Sequence, residues 1–153
     1  MKINVPLDLL KKLLDESGTN KDLVNIIHRK FTEITITSYK DIKSFEDACH
    51  YLGKSEIDIF DGVKNIRLTN QLKLETVIEA LNEGWKTDFN NINQKKYYNY
   101  FNMENGLFVF LGTGYNYGLM SVPSALYLKD EQTAIYCKDN FFELYKEYYG
   151  FSR

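Results

Sequence analysis

The feature that most constrains the fold is an apolar stripe, Leu74, Val77, Ile78 and Leu81, spaced i, i+3, i+4, i+7. That spacing gathers four side chains on one face of an α-helix, whereas a strand would scatter them over both faces. Gly84 reads as the helix stop, and Trp85, the only tryptophan, follows at once. An indole at that point is expected to act as a structural anchor, locking the helix end onto the core. Asp88 to Asn93 reads as a polar turn, and Lys95-Lys96-Tyr97-Tyr98-Asn99-Tyr100-Phe101 leads into a strand.

The flanking sequence supplies partners for that stripe. Residues 5–16 read as a helix with Pro6 in its first turn, Leu9, Leu10, Leu13 and Leu14 as its apolar face and Gly18 as its stop. Asn20 caps a second helix carrying Val24, Ile27, Phe31 and Ile34, with His28 at its boundary. The β-branched alternation from Glu33 to Ser38 fits a short strand or the helix end. Ser44 and Asp47 open a helix with Phe45, Ala48, Cys49 and Leu52 inward, closed by Gly53. Ile57 and Ile59 alternate with Glu56 and Asp58, and Asp61-Gly62 is a turn signal.

Downstream, Asn105-Gly106 is a hairpin signal joining the Tyr97–Phe101 strand to a second over residues 107–111. Residues 112–118, GTGYNYG, read as a flexible loop, and Ala125-Leu126-Tyr127-Leu128 as a third strand after Pro123. Asp130 caps a last helix from Glu131 to Tyr149 with Ala134, Cys137, Phe141, Leu144, Tyr145 and Tyr148 inward. The expectation is one α+β domain over residues 1–153, with about four to five helices packed on a small antiparallel sheet of roughly three strands. Residues 1–38 form its helical N-terminal extension and 44–153 its core.

Composition narrows the function classes. A net charge of −2 and a pI near 5.7 argue against a dedicated duplex-DNA binder, which would rely on clustered Lys and Arg. The N-terminal stretch has neither a signal-peptide pattern nor a spanning apolar run, so a cytoplasmic protein with no membrane contact is expected. Cys49 and Cys137 lack CxxC spacing and read as buried thiols. Cys49 and His50 are neighbours on a helix, where adjacent side chains diverge by about 100° and cannot form a dyad.

No pattern for catalysis, metal or cofactor emerges. Residues 54–70 lack the alternating oxygen ligands of a calcium loop. Glu79 and Glu83 share a helix face without a histidine to complete a site. GTGYNYG is followed by no helix and contains no Walker lysine, which favours a plain β-loop over a phosphate cradle. The expectation is a protein that is not an enzyme.

Three blocks carry a resemblance: SFEDACHYLG (44–53), EALNEGWKTDFNNINQKKYYNYF (79–101) and SALYLKDEQTAIYCKDNFFELYKEYY (124–149). Together they cover 59 of the 153 residues, and the pattern is similar to a family of small phage and prophage proteins of Bacteroidetes. The family's Pro-Trp-Phe after the tyrosine pair is here Asn99-Tyr100-Phe101, and the helical pair before Ser44 has no counterpart. The resemblance implies a phage or mobile-element setting and brings no reaction with it.

Two functions fit these readings. One is a non-enzymatic protein binder, such as a counter-defence, anti-CRISPR-like inhibitor that occludes a host protein or ribonucleoprotein. The other is a binder of single-stranded nucleic acid or a nucleotide, with tyrosines stacking on bases and lysines meeting phosphates. The candidate binding residues for either are Lys95, Lys96, Tyr97, Tyr98, Tyr100, Tyr115 and Tyr117. In a strand, Tyr98 and Tyr100 share one face and Tyr97, Asn99 and Phe101 the other, so one of the two sets belongs to the core.

Overall fold

A computed structural model describes residues 36–151. The chain divides between Ile36 and Thr37, and the expected helices at 5–16 and after Asn20 lie outside the described residues. Ile36–Ser38 are not a strand; Ser38 instead caps a 3-10 turn, Tyr39–Asp41, with a reciprocal capping box. The described part is α+β, with four α-helices and a two-stranded antiparallel sheet.

Helix α1, Phe45–Leu52, begins as its sequence dictates. Ser44 Oγ accepts from Asp47 N at 3.0 Å and Asp47 Oδ2 accepts from Ser44 N at 3.0 Å, so two orphan donors of the first turn are satisfied reciprocally. Phe45, Ala48 and Cys49 are its buried face. Helix α2, Glu56–Phe60, replaces the strand-like alternation at Ile57 and Ile59. Ser55 and Asp58 form a second capping box there, and a five-residue helix held by its cap overrides a two-period pattern of only four residues.

Helix α3, Ile66–Leu81, starts eight residues before the apolar stripe, with Asn65 as its cap. Leu74, Val77, Ile78 and Leu81 are all fully buried. At about 1.5–3 kcal/mol for each side chain removed from water, this face is a principal stabilising element. α3 packs against both α1 and the last helix, α4, Glu131–Tyr148. In α4, Ala134, Cys137, Phe141 and Tyr145 are buried, and Asp130 Oδ1 accepts from Thr133 N at 2.7 Å as the expected cap. Phe141 leaves helical geometry (φ −127°, ψ 27°) and kinks α4.

Strand β1, Lys96–Glu104, and strand β2, Leu107–Asn116, form the sheet. Asn105 and Gly106 both have positive φ, 52° and 80°, as the tight Asn-Gly hairpin turn requires. The register shifts between Tyr100 and Phe101, leaving Leu111 as an extra residue on β2. The expected third strand reduces to one bridge, Tyr97 with Leu128, closed by two hydrogen bonds of 3.0 and 2.8 Å. Ser124–Leu126 winds into a 3-10 turn instead, which uses up the residues a strand would need.

Candidate functional site

The two faces of β1 have separate roles. Asn99 and Phe101 face α4. Asn99 Nδ2 donates to Ala134 O at 2.8 Å and to Tyr145 Oη at 3.2 Å, while Asn99 Oδ1 accepts from Thr113 Oγ1 at 2.8 Å. Cys137 Sγ lies 3.5 Å from Tyr145 Oη. Burial pushes the Cys137 thiol up to about 12 and holds the Tyr145 phenol well above its ordinary range, so both are neutral. Phe101 stacks on Phe108 at 4.8 Å and meets Tyr145 at 4.8 Å, joining the hairpin to the end of α4.

On the opposite face, Tyr98 and Tyr100 lie across the neighbouring strand. Their register partners are Gly114 and Gly112. A methyl group at Gly112 would sit 2.6 Å from Tyr100 Oη, and one at Gly114 would sit 3.2 Å from Tyr98 Cζ. The two glycines are therefore seats for aromatic rings inside a strand, not part of a loop, and this corrects the expectation for residues 112–116. A bare backbone strip lets a ring cover its partner strand, which offsets the poor strand propensity of glycine.

Lys96 is fully buried. Its ammonium donates to the carbonyls of Tyr117 at 2.7 Å, Gln94 at 3.0 Å and Asn91 at 3.4 Å, and lies 5.3 Å from the centre of the Phe89 ring. Three N–H donors meet three acceptors, so the charge is solvated by main chain. Lys96 thus offers no surface to a phosphate. Its sequence neighbour Lys95 is exposed and sits 4.6 Å over the Tyr115 ring. Tyr115 in turn contacts Tyr97 at 5.5 Å and Tyr117 at 5.7 Å.

These anchors fix the segment after β2. Lys96 holds Tyr117 O, Tyr127 Oη donates to Leu119 O at 3.0 Å and accepts from Ser121 N at 2.8 Å, and Asn116 Nδ2 donates to Ser121 Oγ at 2.6 Å. The backbone is fastened, yet Leu119 and Met120 stand 75% and 72% exposed. Tyr100, Leu111, Tyr115 and Tyr117 are also exposed on the hairpin and the segment that follows. A fastened segment that turns large apolar groups toward water is what interaction surfaces carry.

Of the candidate residues, the structure brings Lys95, Tyr97, Tyr115 and Tyr117 together, sets Tyr98 and Tyr100 as a pair 6.2 Å apart on the other face, and buries Lys96. Leu119 and Met120 were not among them. The signal was an apolar pair placed between Gly118 and Pro123, where turn composition predicts polar residues. Trp85 is half-buried and walls a surface recess of about 380 Å³ with Glu75, Glu79, Lys86 and Tyr127. Asn82 also fastens the end of α3, donating to Tyr127 O at 2.9 Å and accepting from Lys129 N at 3.0 Å.

The acidic residues considered for chemistry are paired separately. Glu79 meets Lys54 at 2.6 Å, and Glu83 meets Lys129 and accepts from Tyr39 N at 2.8 Å. The Lys129 bond comes first in holding the Glu83 carboxyl below its usual value. Among the described residues, His, Cys, Asp and Glu form no group of three or more that could hold a metal ion. None of the described helices is long and apolar enough to cross a membrane. Comparison with protein-family models, curated proteins and solved structures found no match.

Proposed function

We propose that this chain is a non-enzymatic binding protein that occludes a partner protein with the segment after β2 and its adjoining tyrosines. The carrying observation is the exposure of Leu119 and Met120 on a backbone fastened by Lys96 and Tyr127. Binding then costs little loop ordering, and two apolar anchors flanked by Tyr115 and Tyr117 match the composition of interface centres. The setting follows the family resemblance: a phage or mobile-element product acting on a host protein or ribonucleoprotein as a counter-defence factor.

The test is affinity purification of the full chain from a bacterial host, beside a Leu119→Asp/Met120→Asp variant, with co-purifying RNA sequenced. The reading expects one dominant complex with the natural sequence and its loss with the variant. Equal recovery with both, or no complex with either, overturns it.

A second reading keeps single-stranded nucleic acid or a nucleotide as ligand, favoured by Lys95 held over Tyr115 beside Tyr117. With Lys96 buried, it has one lysine of the original pair left for phosphate. A gel shift at low salt that Lys95→Ala and Tyr115→Ala abolish would favour this reading over the first.

A further inference from the structure

The outer edge of β2 is built to pair. Tyr97 uses both its N–H and its C=O on Leu128, on the side of β1 away from β2. In an antiparallel ladder this makes Tyr97 and its partner Tyr115 a pair that exchanges no hydrogen bonds. The main-chain groups of Tyr115, and of Thr113 two residues before it, therefore point out of the hairpin. Among the described residues, the sheet has only β1 and β2, and its one additional bridge is on the β1 side.

Edge strands are usually guarded by charge, proline or short length. β2 is ten residues long, LFVFLGTGYN, and contains no charged residue and no proline. The extra residue Leu111 interrupts it once, and Gly112–Asn116 then runs in regular register. Leu111 and Tyr115 are exposed on either side of Thr113.

We infer that β2 pairs antiparallel with β2 of a second copy, giving a four-stranded sheet ordered β1-β2-β2-β1. With a two-fold axis at Thr113, Thr113 faces its own copy and the exposed Leu111 of one copy faces the exposed Tyr115 of the other. The edge is thereby self-complementary, exposed apolar side chain against exposed apolar side chain with no charge to bury, and this favours a second copy as occupant over a strand from another protein. The axis is perpendicular to the sheet, so Tyr98 and Tyr100 of both copies share one face and both α4 helices lie on the other. A two-stranded sheet is marginal by itself, and pairing doubles it. The inference concerns the strand edge and does not depend on the Leu119–Met120 reading.

Sedimentation velocity of the full chain from about 1 to 500 µM tests it. The expected species approaches twice 18.0 kDa as concentration rises. Leu111→Lys/Tyr115→Lys is expected to stay monomeric, as is Leu111→Glu/Tyr115→Glu, and an equimolar mixture of the two is expected to dimerise. Leu119→Asp/Met120→Asp is expected to dimerise like the natural chain, which separates failure here from failure of the proposed function. A natural chain that is monomeric throughout overturns the inference, as does a dimer that survives the double-lysine change. Should those variants not fold, hydrogen exchange of the natural chain decides: slow exchange at the Thr113 and Tyr115 amides at high concentration supports pairing, and exchange as fast as at low concentration refutes it.

Discussion

The ammonium of Lys96 donates to the carbonyl of Tyr117 at 2.7 Å, bridging the first residue of β1 and the residue after β2. That bond turns a lysine that looks suited to phosphate into the internal fastening of the proposed binding segment. Lys96→Met keeps most of the volume but leaves three carbonyls without their donor. We expect a loss on the order of 3 kcal/mol, since hydrogen bonds to a charged group contribute about 1.5–3 kcal/mol each and abandoned buried acceptors cost further. Lys95→Met should stay within about 0.5 kcal/mol of the natural protein. Urea unfolding of both variants checks the contrast, and equal stabilities would refute the internal role of Lys96.

Gly112 and Tyr100 give a second test. Gly112→Ala places a methyl group where the phenol oxygen now lies, so the ring must leave its seat. Tyr100 is 43% exposed and can swing outward, so the cost should be about 1 kcal/mol, at the low end for overpacking. Gly114→Ala should cost more, because Tyr98 also contacts Tyr127 at 5.9 Å and has less room to move. A double-mutant cycle of Gly112→Ala with Tyr100→Ala should show coupling of at least about 0.5 kcal/mol. Additive effects would mean that the ring does not depend on the glycine.

The parts legible in the sequence were those governed by local chemistry. Ser44 with Asp47, Asp130, Asn105-Gly106 and the Leu74–Leu81 stripe each announce their structure within a few residues, and each forms as expected. The illegible parts depend on distant partners. Lys96 is indistinguishable from Lys95 until the carbonyls of Asn91, Gln94 and Tyr117 are known to converge on it. Gly112 and Gly114 read as loop because local propensity penalises glycine in strands, and only the tyrosines of the neighbouring strand make them favourable. The helical nature of Ile66–Asn70 was hidden because its first turns expose Ile66 and Leu68 and show no apolar stripe.

Asn99 is the polar link between the sheet and α4, and replacing it should be costly. Asn99→Ala removes the partner of Thr113 Oγ1 and one partner of Tyr145 Oη in a site closed to water. The expected loss is about 2–4 kcal/mol, from unsatisfied polar groups and the space left behind. Asn99→Asp should be worse at neutral pH, because a carboxylate cannot donate to Ala134 O and has no cation among the contacts Asn99 now makes. Thermal unfolding of the two variants orders them, and an aspartate variant as stable as the alanine variant would argue against the donor role.

The buried thiol behind Asn99 makes stability depend on alkaline pH. Cys137 is held at about 12 against an ordinary 9.0, chiefly by burial, and burial also raises Tyr145 well above 10.0. The folded chain thus keeps protons that the unfolded chain releases. The resulting stability is fully present below about pH 9 and declines as pH rises toward 12, by at most about 1.4 kcal/mol per pH unit for each such group. Cys49, raised to about 11 by burial and then by Glu56 and Glu46, adds to the same slope between about pH 9 and 11. Urea midpoints should hold from pH 8 to about 9 and then fall toward pH 11, and Cys137→Ala should flatten that fall by roughly one group's share while leaving the Cys49 part. The burial of Cys137 also predicts that thiol reagents react with it only as fast as the domain opens, so its labelling rate should fall with every stabilising condition. A midpoint that holds constant to pH 11, or a Cys137 labelled at the rate of a free thiol, would show that the α4 face is open to solvent.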